Sequence, residues 1–153
     1  IVAILFSCFA TFFLIGFRLW EGGVIRVQLQ QEMRNAMAMI TYDLQQAGPS
    51  TDSIIEPPAD GNPYPGITFR VCNGVSGGRI SWSANTIHYG VSANQLLRTE
   101  AGANLVIAQN TQSLSFRRQP TSPDIVEVDL ALAQNSRSAT LHDALHFEVQ
   151  LRN

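Results

Sequence analysis

The chain has 153 residues, ten basic and twelve acidic, with a net charge of −2, so it offers no electrostatic footprint for nucleic acid. Every basic residue is an arginine, which excludes a Schiff-base lysine and the lysine of a phosphate-binding loop. The length suits one leading helix and one small domain with a modest core.

Residues 1–17 (IVAILFSCFATFFLIGF) carry no charge. At about 1.5 Å per residue they reach about 25 Å, against a bilayer core of about 30 Å. Arg18, which can snorkel, with Leu19 and Trp20, which suits the headgroup level, closes most of the gap. No small-residue cleavage site follows in residues 18–21 (RLWE), which argues against a secretory signal. Phe6, Phe9, Phe12, Phe13 and Phe17 surround a helix instead of marking one face, which argues against a buried helix of an ordinary core. The expectation is therefore a transmembrane segment at about residues 1–20.

Gly22-Gly23 then predicts a bend or a weakened turn. Leu29, Met33, Met37, Ile40 and Leu44 recur at helical spacing and form one apolar face that holds the helix to a sheet. Gly48-Pro49 ends the pattern, with Gly near the C-cap and Pro just beyond. One long helix over residues 1–47 is expected, followed by a β-rich head over residues 48–153.

Residues 49–65, rich in Pro, Asp and Gly, read as a loop. Strands follow at residues 67–72, 79–83, 86–89, 95–99, 105–108, 112–118, 124–133 and 144–151. Residues 83–85 read as a tight hairpin connection, and residues 134–143 as a polar loop. Val126, Val128, Leu130 and Leu132 share one face of the clearest strand. Phe147, Val149 and Leu151 share one face of the last. Hairpins with one wet face fit this alternation.

Candidate chemical sites are few. Cys8 lies in the apolar run and Cys72 in the head, so no internal disulfide is expected, and Cys72 reads as a buried thiol. His142 and His146 are four apart, but in strand-like sequence and without the zincin glutamate; they and His88 read as satisfied or exposed histidines. Asp124, Glu127 and Asp129 read as a solvated strand face, and Asp52, Glu56 and Asp60 lack a calcium-loop pattern. No nucleophile-elbow sequence is present. No catalytic residue, metal site or cofactor is predicted.

A hydrophobic helix that continues into an amphipathic helix, a loop and an antiparallel sheet resembles the type IV pilin superfamily. Three segments carry the resemblance. Residues 33–48 (MRNAMAMITYDLQQAG) resemble the helix of J-type minor pseudopilins and PilW-like minor pilins, with Asp-Leu and an Ala near its end. Tyr89, Gln95-Leu96-Leu97-Arg98, residues 106–110 and Leu114-Ser115-Phe116 resemble their hairpin region. Leu151-Arg152-Asn153 resembles their "LRN" ending. The family's Gly-Phe cleavage junction and early glutamate are missing, as though the chain began about ten residues into the family's helix.

The resemblance implies an α+β, pilin-like fold: a long transmembrane and amphipathic helix on an antiparallel sheet. It implies a structural, non-catalytic minor subunit of a type IV pilus or type II secretion pseudopilus that helps initiate or cap the filament. The head would sit in the periplasm and the helix in the inner membrane before assembly. Partners would be other pilin or pseudopilin subunits, the assembly platform and, on the precursor, prepilin peptidase. Ile4, Phe9, Phe13 and Leu14 would pack on neighbouring helices in the filament. The alternative is a membrane-anchored periplasmic ligand-binding or sensor module.

Overall fold

The computed structural model describes residues 2–50, 52–136 and 139–152, with side chains for all of these except residues 2–5, 7, 8, 18 and 19. One helix, α1 (Val2–Gln45), runs for 44 residues, about 66 Å. It continues through Gly22 and Gly23 without a break, and each of these faces open space. An interrupted turn at the two glycines is therefore not seen.

The transmembrane part of the expected fold is corrected. Among the described residues no helix is long and apolar enough to cross a membrane.

Among the described residues, ten antiparallel strands make up the head: β1 (Ile54–Glu56), β2 (Gly66–Phe69), β3 (Cys72–Ser76), β4 (Arg79–Trp82), β5 (Ile87–Ser92), β6 (Gln95–Glu100), β7 (Ala103–Ala108), β8 (Thr111–Gln119), β9 (Ser122–Asn135) and β10 (Thr140–Gln150). They form a five-stranded sheet in the order β1-β2-β5-β6-β7, a three-stranded sheet in the order β10-β9-β8, and a separate β3-β4 hairpin. A bridge between Tyr64 and Phe116 ties the loop before β2 to β8.

The pairing departs from the expected hairpin at residues 83–85. β4 pairs with β3, and β5 turns away to pair with β2 and β6. The glycines at 77 and 78, both at positive φ, close β3 on β4, and this local turn wins over the one at residues 83–85. β1 lies within the expected loop. β9 and β10 pair all the way from Ile125–Gln150 to Asn135–Thr140, so much of the expected polar loop at 134–143 is strand. Alternation was weak there because neither face of that end is deeply buried.

The core forms between α1 and both larger sheets. Ile25, Leu29, Met33, Ala36, Ile40, Leu44 and Ala47 line the helix side, and Phe69, Tyr89, Leu96, Phe116, Val126, Val128, Leu130 and Leu132 line the sheet side. Burying side chains of this size contributes about 1.5–3 kcal/mol each. The helix's buried face passes through Ala36, leaving Met37 half-buried at its margin.

Past the helix, Gly48 donates its N–H to Ser53 Oγ at 2.9 Å, and Ser53 Oγ donates to the Arg70 carbonyl at 2.9 Å. A Cβ at position 48 would lie 2.6 Å from the Trp82 ring. Gly48 is thus required by the packing of the β4 hairpin on the helix end, and not by a left-handed cap. Arg118, buried, gathers the following loop. Its guanidinium donates to the carbonyls of Pro49, Pro57 and Pro123 at 2.9–3.2 Å, and burial lowers its pKa.

Candidate functional site: an exposed aromatic arm fixed to a locked head

The first half of α1 projects from the head as an arm. Phe9, Phe12 and Phe13 are 70%, 79% and 69% exposed, and Phe6, Leu14, Ile15, Phe17 and Trp20 are also well exposed. The rings touch one another along the arm: Phe9 and Phe13 stack with centroids 6.3 Å apart, and Phe17 and Trp20 lie 6.0 Å apart. Steps of three and four residues connect Phe6, Phe9, Phe13, Phe17, Trp20, Val24 and Val27, all of them exposed. At 3.6 residues per turn these steps make one continuous stripe. A patch of this extent on a single chain marks an interaction surface.

The second half of α1 is locked to the sheet by a buried polar node. Asp43 Oδ2 accepts the Tyr89 hydroxyl at 2.7 Å and Arg98 Nε at 2.6 Å. Arg98 Nη1 reaches Glu100 Oε2 at 2.7 Å. Burial, and then the bond to the Asp43 carboxylate, hold the Tyr89 hydroxyl well above the usual phenol range. These bonds tie the helix to β5 and β6, and removing a partner leaves a buried polar group without its bond. Nearer the arm, Glu32 Oε2 accepts the Gln109 N–H at 3.0 Å, a second tie between helix and head.

Of the expected filament-packing residues, Phe9, Phe13 and Leu14 lie on the exposed arm, and the side chain of Ile4 falls outside the described set. Of the expected helix-to-sheet residues, Met33, Ile40 and Leu44 are buried in the core, whereas Met37 is half-buried and is not part of that core. The sequence reading missed Asp43, Tyr89 and Arg98 as a unit, although Asp43 stands in one segment of the family resemblance and Tyr89 and Arg98 in another. The available signal was the spacing of Ala36, Ile40, Asp43 and Ala47, which places a carboxylate on the buried face of the helix.

The remaining candidates scatter. Cys72 is exposed, not buried, because β3 belongs to the outlying hairpin; Cys8 lies outside the described side chains. His142 and His146 share a face of β10. His146 Nδ1 lies 2.7 Å from Asp129 Oδ1, whose hydrogen bond raises its pKa. His142 meets Gln112, and His88 meets Thr68. Glu127 takes Arg117 at 3.3 Å. Asp60 accepts Asn62 and the Tyr64 hydroxyl, and the Tyr64 bond foremost holds its carboxyl below the usual range. Among the described residues no group of three or more His, Cys, Asp or Glu is placed to hold a metal.

Comparison with protein-family models, with curated proteins and with solved structures finds no match to this chain.

Proposed function

We propose that the chain is a structural subunit of a helix-cored filament of the type IV pilin-like kind, with a non-catalytic role near the filament end. The observation that carries this reading is the arm: an exposed aromatic stripe along a helix that leads into a firmly held head. Aromatic side chains bury about 150–250 Å² each. Covering those on the arm at about 25 cal/mol per Å² offers on the order of 20 kcal/mol before the costs of association. Other helices of the same kind supply that cover by ridge-into-groove packing. The sequence resemblance points to the same role and to pilin or pseudopilin subunits as partners. On that resemblance, a prepilin peptidase acts on the precursor and the periplasm holds the head. No step of this reading requires the helix to span a bilayer.

The experiment compares the wild-type chain with Phe9→Asp/Phe13→Asp. Each is expressed with its assembly system, and sheared filament fractions are probed for the subunit. The expected result is loss of the double variant from filaments, while its head melts within about 0.5 kcal/mol of wild type because neither residue touches the core. Incorporation of the double variant at wild-type levels would sink the proposal.

A further inference from the structure

The sheets end in rims of unequal character. β1 is three residues long, shifts register between Ile54 and Glu56, and runs into Pro57 and Pro58. β10 sets His142, Asp143, His146 and Glu148 along its length. β8 is covered by the loop before β2, through bonds from Gly61 to the Arg118 carbonyl and between Tyr64 and Phe116. Short length, charge and cover are the usual devices that keep foreign strands from a sheet edge.

β7 lacks these devices. Its six residues, Ala-Asn-Leu-Val-Ile-Ala, hold no charge and no proline, and among the described residues it pairs with β6 alone. Residues 103–106 pair one-to-one with β6, and the register break comes after them, at Ile107. Beside this rim the flank of α1 continues into a groove of about 520 Å³ between Ala38, Met39 and Tyr42 on the helix and Leu105, Val106 and Ile107 on the strand. Tyr42 is 67% exposed and Val106 44%. The helix-on-sheet interface thus continues beside the last strand as an open apolar surface.

We propose that β7 accepts an extended, uncharged segment of another protein chain as a sixth strand, its alternate apolar side chains seated against Ala38, Met39 and Tyr42. Two features identify this occupant. A row of unpaired backbone groups is satisfied by a strand and not by a helix. The groove is lined by apolar and amide side chains, so a charge buried in it would find no ionic partner. Since a strand's side chains alternate, one set faces the helix flank and the other faces out. This inference goes beyond the arm and does not depend on it: arm variants report on filament entry, and the rim reports on strand capture.

The probe is a short end-capped peptide alternating threonine with valine, titrated into the intact chain while backbone amide exchange is followed residue by residue. Main-chain bonding makes such a generic strand a sufficient ligand. The expected result is slowing of exchange across residues 103–107 by about tenfold or more at millimolar peptide. The effect should vanish with the same peptide N-methylated at alternate amides and in Val106→Lys and Tyr42→Asp, whose exposed positions leave the fold intact. No slowing, or slowing that persists in both variants, overturns the proposal. Slowing that rises with the chain's own concentration in the absence of peptide makes the occupant a second copy's strand and overturns the assignment to another protein.

Discussion

The two halves of α1 share one backbone and have opposite surroundings. From Ile25 onward the helix gives up its apolar face to two sheets and fastens itself with Asp43. Before Ile25 its aromatic side chains stand in the open. The difference shows that helix continuity and helix stability have separate sources here. The head-bound half is held by tertiary burial, whereas the arm rests on propensity and on contacts along its own surface, which stabilise an isolated helix only marginally. The arm is therefore the half whose final environment another molecule must supply.

Substitutions that move charge across this boundary break the comparison most severely. Ile40→Asp puts an unpaired carboxylate at the centre of the helix–sheet contact. The head is expected to lose more than about 4 kcal/mol and to fail to melt cooperatively. Near-native thermal unfolding of that variant would show that the packing is not where the structure places it. Asp43→Ala leaves the Tyr89 hydroxyl without its acceptor and Arg98 with Glu100 as its remaining partner, and is expected to cost about 3 kcal/mol by denaturant titration. Asp43→Leu paired with Arg98→Leu should recover much of that loss, since replacing both charges avoids the orphaned partner.

A pH series sharpens the role of the node. The folded-state pKa of Tyr89 is raised, by burial first and the Asp43 bond second. Its contribution is therefore fully present below the unfolded phenol value near 10 and is lost as pH rises above it. Stability should fall above about pH 10, and Tyr89→Phe should flatten that fall while costing about 1 kcal/mol at neutral pH. Tyr64, raised chiefly by its bond to Asp60, acts in the same direction at the surface, so Tyr64→Phe is the control. An unchanged alkaline limb in Tyr89→Phe would remove Tyr89 from the account.

The smallest expected effect lies at the junction of the halves. Gly22 and Gly23 face open space, so Gly22→Ala/Gly23→Ala should add up to about 1 kcal/mol of local helix stability per site. Slower amide exchange over residues 19–26 with an unchanged head transition is the expected outcome. A rise in the head's own melting temperature would mean that the halves are coupled, against the contrast drawn above.

The pattern of apolar residues made much of this legible in advance. The spacing of Leu29, Met33, Ile40 and Leu44 shows a helix face, and the alternation of Val126, Val128, Leu130 and Leu132 shows a strand face, because periods of 3.6 and 2 are local properties. Composition also revealed the aromatic arm. Its reading as a membrane span did not survive, since an uncharged run is defined by what is missing and does not state its own solvent. Tertiary structure alone decided that Ala36 rather than Met37 faces the sheet and that Gly48 is required by the Trp82 ring. It alone paired β4 with β3 and brought Asp43, Tyr89 and Arg98 to one point from 55 residues of separation. Local periodicity says which side of an element is apolar. The distance between two elements, and which polar groups meet across it, follows only when the whole chain closes on its core.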